Sequence, residues 1–187
     1  MKEYKEYIID IKGLKRPLPL TPLNDKMYIG AFVIFGDVEL TEHCARELLK
    51  MVPEYDCMIA PEAKSIPLIY EMARQTRSGY LLARKGRKLY MRDPFEVKVR
   101  SITTEKEQTL CIDGYDAKSM EGKRVLIIDD VISTGESLAA TEELVRRAGG
   151  IVVGRACILA EGDAADRDDI IYLQKLPLFD SEGNPIE

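Results

Sequence analysis

Apolar and polar positions along the chain follow two different patterns, one typical of strands and one typical of helices. Short apolar runs bounded by polar residues predict strands, and they occur at residues 57–60, 79–83, 124–128, 151–160 and 170–173. Apolar residues spaced three and four apart predict amphipathic helices over residues 38–52, 66–75 and 137–148. A run that is apolar at every position is typical of a parallel sheet covered on both faces. The alternation of strand and helix therefore predicts an α/β fold, with a mostly parallel central sheet flanked by helices.

The remaining segments add smaller elements to this alternation. Residues 4–11 predict a first strand, and three prolines exclude a regular helix over residues 15–25. Residues 95–103 alternate with a period of two, which predicts a strand paired with residues 108–112 as a hairpin. The run at 170–173 is the last predicted strand. No repeat or flexible linker interrupts the sequence, so residues 1–187 are interpreted as a single domain.

The composition excludes some classes of function. Lys plus Arg number 27 and Asp plus Glu number 32, which gives a net charge of −5. This balance argues against a protein built mainly to bind nucleic acid. The apolar stretch at residues 31–35 is far too short to cross a bilayer, and the first residues lack the apolar core of a signal peptide. We therefore expect a cytoplasmic protein with no membrane partner, and we do not expect a nucleic-acid partner.

The cysteines and the single histidine narrow the chemistry further. The chain has four cysteines, none of them in a CxxC pair: Cys44, Cys57, Cys111 and Cys157. His43 is the only histidine. Zinc fingers, zinc proteases with two histidine ligands and Cys–His nucleophile pairs are excluded by these numbers. We therefore expect free thiols in a reducing compartment.

The segment richest in chemistry is VLIIDDVISTGES, residues 125–137. Its apolar strand brings the carboxylates of Asp129 and Asp130 to a carboxyl end, where ligands bind in open α/β sheets. The following loop offers hydroxyls and backbone N–H groups at a predicted helix N-terminus, which suits a phosphate. Gly135 lets the backbone approach phosphate oxygens closely. The two acids repel a second phosphate and suit sugar hydroxyls, or a metal that the phosphate shares.

Other interpretations of this segment explain less of it. Asp129 and Asp130 fit a solvated strand end and Ser137 fits a helix N-cap, but neither accounts for the whole string. A receiver domain also has paired acids after a strand, but that strand lies at the start of its chain. Too few residues follow Asp130 to complete such a fold. A P-loop is excluded because the pattern GxxxxGK[ST] is absent.

The segment resembles the phosphoribosyl pyrophosphate (PRPP) motif of the type I phosphoribosyltransferases. The resemblance implies their fold, with a small hood formed by about residues 1–36 and 160–187. It implies that Asp129 and Asp130 hold the ribose hydroxyls, and that Mg²⁺ is held by PRPP alone or by PRPP with Asp129. The 5′-phosphate ligands that it implies are Ser133, Thr134, Gly135, Glu136 and Ser137, with the Glu136 side chain pointing away from the phosphate.

Two further segments resemble the same family. Residues 61–65, PEAKS, look like its pyrophosphate loop, which often contains a non-proline cis peptide; a glycine is usual where this chain has Ser65. Residues 84–89, RKGRKL, resemble the RKxxKL stretch that opens the mobile lid of adenine-type members, here about residues 84–108. The resemblance assigns pyrophosphate binding to Glu62, Ala63, Lys64, Ser65 and Arg84, and catalysis to Lys85 and Lys88 beside Asp129 and Asp130.

The reaction and the base come from the resemblance alone. It implies a Mg²⁺-dependent homodimer that transfers the 5-phosphoribosyl group from PRPP to a purine nucleobase. The lid stretch and the pair Glu161 and Arg167 resemble the adenine branch, so adenine is the first choice, with xanthine and hypoxanthine next. The candidate base contacts are Phe32, Phe35 and Glu161.

A PRPP-sensing regulator of purine metabolism is the alternative function. Such a protein keeps the binding loop without turnover, and carries an added DNA-binding segment or a strongly basic face. This chain has neither, and the lid lysines Lys85 and Lys88 favour an enzyme. Half of a PRPP synthetase is disfavoured, because that enzyme needs ATP-binding machinery and a longer chain.

Overall fold

A computed structural model describes residues 5–100 and 107–186 of the chain. Its strands are β1 (Glu6–Ile11), β2 (Leu14–Pro22), β3 (Met27–Gly30), β4 (Cys57–Pro61), β5 (Tyr80–Ala83), β6 (Phe95–Arg100), β7 (Glu107–Ile112), β8 (Arg124–Ile132), β9 (Ile151–Glu161), β10 (Ile171–Leu176), β11 (Leu178–Asp180) and β12 (Pro185–Ile186). Its helices are α1 (Val38–Leu49), α2 (Ile66–Thr76), α3 (Gly114–Ser119) and α4 (Glu136–Arg147), and a 3₁₀ turn covers Gly162–Asp166. Within the described ranges, no helix is long and apolar enough to span a bilayer.

The central layer is a parallel sheet with the strand order β10-β9-β8-β4-β5. β8 lies in its middle and buries both of its faces. Leu126 and Ile128 join the core that includes residues of α1 and α2, whereas Val125 and Ile127 join the core that includes residues of α4. Burial on both faces explains why this run is apolar at every position. The predicted parallel sheet with flanking helices is confirmed.

The three predicted helices are present with small changes at their ends. α1 begins after Asp37, whose carboxylate accepts a hydrogen bond from the Leu40 N–H at 3.0 Å. Arg16 Nε, from β2, lies 2.6 Å from Asp37 Oδ2. This ion pair ties the N-terminal strands to the start of α1. A capping carboxylate satisfies a helix N–H that has no acceptor within the helix.

A second, antiparallel sheet unites the two ends of the chain in the order β1-β2-β3-β11-β12. β2 contains the prolines that exclude a helix, and it is a strand because Leu18 and Leu20 are buried while Pro17 and Pro19 are exposed. The Pro19 carbonyl accepts the Ala31 N–H. The nitrogen of Pro19 lies on the same side of the strand as its carbonyl and so faces away from β1. The missing N–H therefore removes no hydrogen bond to β1. The sheet corresponds to the hood that the resemblance implies.

Some of the short elements were not predicted by the sequence pattern. α3 has six residues and β11 has three, which is too short for a helical or strand period to be read. The prediction that residues 170–173 form the last strand is wrong, because β11 and β12 follow it. β8 also continues through both acids to Ile132, beyond its predicted end at residue 128.

The predicted hairpin is present as β6 paired with β7. Phe95 lies opposite Ile112, and the register continues to Arg100 opposite Glu107. Residues 101–103 of the predicted strand, and residues 101–106 of the predicted lid, lie outside the described residues. The hairpin begins directly beside the segment 84–94, which joins it to β5.

Candidate active site

The acid pair lies near the carboxyl end of β8, the central strand. Asp129 is 9% exposed and Asp130 is 4% exposed. The Asp130 N–H donates to Asp129 Oδ1 at 2.9 Å. Lys64 Nζ, from the loop after β4, lies 2.9 Å from Asp130 Oδ2. This contact has the length of a hydrogen bond but not its direction, so the buried Asp130 Oδ2 has no hydrogen-bond donor among the described residues.

The electrostatics of the pair favour a ligand. Burial, followed by the neighbouring Asp130 carboxylate, raises the pKa of Asp129 well above its usual range, while the Asp130 N–H and Lys64 act in the opposite direction. Two buried carboxylates side by side destabilise a protein unless hydrogen-bond donors or cations compensate them. A ligand that brings hydroxyl donors relieves this cost. The pair is therefore arranged for binding rather than for stability.

The raised pKa of Asp129 predicts a pH-dependent stability. A carboxyl group whose pKa is higher in the folded chain binds its proton preferentially there, so the contribution of Asp129 to stability is largest at low pH. This contribution to the free energy of unfolding should fall as the pH rises from the unfolded pKa, about 3.9, through the folded pKa. We expect Asp129→Asn to remove this contribution, measured as urea midpoints across the range, with Asp163→Asn at an exposed position as the control. Identical pH profiles for wild type and Asp129→Asn would contradict it.

The loop after β8 forms a small cavity at the N-terminus of α4. The cavity has a volume of about 90 Å³ and is lined by Asp129 and residues 131–138. Gly135 has a φ of +79°, in the left-handed region that favours glycine, and α4 begins at the next residue. The first N–H groups of a helix have no acceptor within it and favour an anion. The structure thus brings all five predicted 5′-phosphate residues, 133–137, around one cavity that also includes Asp129.

The loop between β4 and α2 lies beside the acid pair. The peptide bond between Glu62 and Ala63 is cis, as the resemblance implies. Lys64 reaches Asp130 from this loop, so a ligand on the acids also meets the loop. Ser65 is buried and its hydroxyl donates to the Pro61 carbonyl. The Ser65 side chain thus closes the loop on itself, which leaves the backbone of the loop and Lys64 as the candidate pyrophosphate contacts.

Glu62 has a different position from the one predicted for a pyrophosphate ligand. Its N–H donates to the Ala83 carbonyl at 2.9 Å, and its carboxylate accepts the Lys85 N–H at 2.8 Å. The same carboxylate lies 3.1 Å from Arg84 Nε and 3.8 Å from Lys88 Nζ. A carboxylate also repels pyrophosphate. Glu62 therefore links the start of the lid to the loop after β4. The cations around Glu62 are then the candidate ligands of pyrophosphate.

The cations at the start of the lid have distinct surroundings. The Lys85 side chain is exposed, and Arg84 is tied to β7 by backbone hydrogen bonds with Cys111. Arg87 forms a two-nitrogen ion pair with Glu96 on β6. Glu96 was not among the predicted site residues; it lies on a paired strand, and nothing local in the sequence marks it. This ion pair therefore engages the Arg87 guanidinium with β6.

The candidate base contacts divide into buried and exposed groups. Phe32 is 4% exposed and belongs to the core, so its predicted stacking on a base is corrected to a packing role. Phe35 is 51% exposed. Glu161 ends β9 at the same edge of the sheet as the acids, and burial raises the pKa of its carboxyl group while Lys64 lowers it. Phe35 and Glu161 thus remain the candidate base contacts.

The fold and these loops define a class of protein. A parallel sheet presents an acid pair, an anion cavity and a cationic loop at one edge, and an antiparallel sheet joins both chain ends. A family model described as a phosphoribosyl transferase domain matches residues 40–184. The chain belongs to this family of phosphoribosyltransferases.

Individual relatives of the chain are also named as phosphoribosyltransferases. An adenine phosphoribosyltransferase of Rhodococcus jostii is 32% identical over 145 residues, covering 78% of each chain. One of Petrotoga mobilis is 27% identical over 156 residues, covering 81% of this chain and 86% of the relative. The crystal structure of adenine phosphoribosyltransferase from Rhodothermus marinus matches with a TM-score of 0.61 at 26% identity, over 74% of this chain and 79% of that one. The enzyme of Thermoanaerobacter pseudethanolicus shares the fold with a TM-score of 0.69 at 24% identity, over 84% and 95%.

Proposed function

We propose that this protein is an adenine phosphoribosyltransferase, which converts adenine and PRPP to AMP and pyrophosphate. The observation that carries the proposal is the meeting of the acid pair, Asp129 and Asp130, with the anion cavity of residues 133–137 at one strand end. This edge provides acceptors for a sugar and donors for its phosphate. The relatives named as adenine phosphoribosyltransferases supply the choice of base.

The proposed reaction exchanges one bond at C1′ of the ribose for another. The C1′–oxygen bond to pyrophosphate breaks and both electrons leave with the pyrophosphate. A bond from adenine N9 to C1′ forms, and the N9 proton is released. The transition state carries positive charge on the ribose ring, so the protein acts by positioning and charge stabilisation. Asp129 and Asp130 hold the ring, and the cavity at the start of α4 holds the 5′-phosphate.

Mg²⁺ fits this site as an ion that enters with PRPP. Among residues 5–100 and 107–186, no group of three acidic, histidine or cysteine side chains is arranged to hold a metal. Mg²⁺ is commonly bound by one or two carboxylates together with substrate phosphates. We propose that PRPP would supply most of its ligands and that Asp129, which lines the phosphate cavity, would be the protein carboxylate that helps to hold it. When bound, Mg²⁺ neutralises the charge of the leaving pyrophosphate.

The cations at the start of the lid are proposed to bind pyrophosphate. Replacing Lys85 and Lys88 together with glutamine should weaken pyrophosphate binding about tenfold or more, because two charge-assisted contacts are lost. Binding of ribose 5-phosphate should change less than twofold. Calorimetric titration with each ligand measures both affinities. The control is Lys123→Gln, at an exposed lysine before β8. Equal loss of both ligands would show that the lid lysines do not recognise pyrophosphate.

The choice of base is tested with a panel. Nucleotide formation from Mg-PRPP is measured with adenine, hypoxanthine, guanine, xanthine, orotate and uracil in parallel. The proposal expects adenine to react with the highest kcat/KM. A preference for an oxopurine would overturn the assignment of the base. A protein that PRPP stabilises against heat, but that converts none of the bases, would be the PRPP-sensing regulator instead.

The assembly and location of the enzyme also belong to the proposal. We propose a homodimer in the cytoplasm. The family resemblance supports the dimer, and the free cysteines at positions 44, 57, 111 and 157 support a reducing compartment. Sedimentation at micromolar concentration measures whether the protein is a dimer.

A further inference from the structure

The side chain of Arg167, from the C-terminal part of the chain, packs against the loop that lines the phosphate cavity. Arg167 follows the 3₁₀ turn Gly162–Asp166, after β9. Its Nη1 lies 2.8 Å from the point where a Cβ atom would stand on Gly135. The guanidinium therefore packs directly against the glycine at the centre of the loop 133–137. The loop leaves room for this contact because it has no side chain there.

The other two nitrogens of Arg167 are held by one carboxylate. Nε and Nη2 donate to the two oxygens of Asp169, each at 2.8 Å. Such two-point pairs fix the plane of a guanidinium. Asp169 Oδ2 also lies 3.7 Å from Arg155 Nε, and Arg155 pairs with Glu142 on α4. The orientation of Arg167 is thus set by groups on β9 and on α4, the helix whose N-terminus borders the cavity.

We propose that Arg167 is a positioning residue for the ribose-phosphate half of the substrate. The proposal rests on the proposed function. By packing on Gly135, the guanidinium fixes the loop in the shape that surrounds the 5′-phosphate. The cavity is lined by none of the three residues Arg167, Asp169 and Glu142, so the guanidinium acts on the phosphate through the loop rather than by direct contact.

The proposal assigns different effects to the two ends of PRPP. The proposed function gives pyrophosphate to Lys64, Lys85 and Lys88, none of which lines the phosphate cavity. Loss of the guanidinium should therefore weaken ribose 5-phosphate and leave pyrophosphate unchanged. A merely structural role would instead lower the melting temperature and weaken both ligands together.

The test measures both ligands on Arg167→Gln, Arg167→Lys and a control. Arg147→Gln serves as the control, because Arg147 is an exposed, ion-paired arginine at the far end of α4. We expect Arg167→Gln to raise the Kd of ribose 5-phosphate about tenfold, about 1.4 kcal/mol. The Kd of pyrophosphate should stay within about twofold and the melting temperature within about 2 °C. Arg167→Lys should restore little affinity, since an ammonium cannot pair in the same plane with Asp169.

Three outcomes would overturn the proposal. Unchanged ribose 5-phosphate affinity in Arg167→Gln would show that the contact with Gly135 does not matter. Full affinity in Arg167→Lys would show a simple charge rather than a positioned guanidinium. Equal weakening of both ligands with a lower melting temperature would show a structural role. A wild-type protein that binds neither ligand would be a failure of the proposed function itself, and the wild-type titration identifies it before any variant is compared.

Discussion

Replacing Asp129 and Asp130 together with asparagine is expected to lower kcat/KM for PRPP by about 10³-fold or more. Both carboxylates are buried at the end of β8, beside the phosphate cavity. Asparagine keeps their size but removes the negative charge that stabilises a positively charged ribose ring in the transition state, and preorganised groups of this kind contribute about 10²–10³ each. Steady-state kinetics with adenine and Mg-PRPP measure the loss.

The same double variant should be at least as stable as the wild type. A buried pair of like charges opposes folding, so its removal raises or maintains the midpoint of thermal unfolding. This result separates loss of chemistry from loss of structure. The control is Asp163→Asn, at an exposed acid in the 3₁₀ turn. If the double variant retained more than about a tenth of the wild-type kcat/KM, the acid pair would not act on the ribose.

Replacing Gly135 with alanine is expected to raise the KM for PRPP about 30-fold or more. The position has a φ of +79°, which costs a residue with a Cβ roughly 1–2 kcal/mol. The added Cβ would also stand 2.8 Å from Arg167 Nη1, so the loop or the guanidinium must move. Either movement disturbs the cavity that the proposal gives to the 5′-phosphate. Initial-rate kinetics at varied PRPP measure the change.

Gly79→Ala is the matched control for this substitution. A Cβ on Gly79 meets no atom within 4 Å, and its φ does not lie in the left-handed region. It should leave the KM for PRPP within about twofold. The KM for adenine should also change little in Gly135→Ala, because the candidate base contacts Phe35 and Glu161 do not line this cavity. A Gly135→Ala enzyme with a wild-type KM for PRPP would contradict the assignment of the cavity.

The central sheet was predictable because its chemistry is local. β8 is apolar on both faces, and that run is visible in the sequence without knowledge of its neighbours. The hood sheet was only partly predictable, since β2 alternates leucine with proline and β11 has three residues. Its strands depend on pairing between the two ends of the chain. Sequence periodicity carries no information about such distant partners.

The acid pair and the phosphate loop were predictable for the same reason, because one continuous segment carries both. The side-chain contacts of Glu62 and Ser65 could not be predicted from the sequence. Glu62 is directed by cations that lie more than twenty positions later, at Arg84 and Lys88. Ser65 is buried by the fold of its own loop. Arg167 also contacts Gly135 only once β9 and the 3₁₀ turn bring it to the same edge of the sheet.

The most direct test of the account is the stoichiometry of the reaction with adenine. The wild-type protein is incubated with adenine, PRPP and Mg²⁺, and AMP and pyrophosphate are quantified together. We expect equal amounts of both products, formed only when all three components are present and abolished in the Asp129→Asn/Asp130→Asn variant. Pyrophosphate released without AMP, or no AMP from a protein that still binds PRPP, would contradict it.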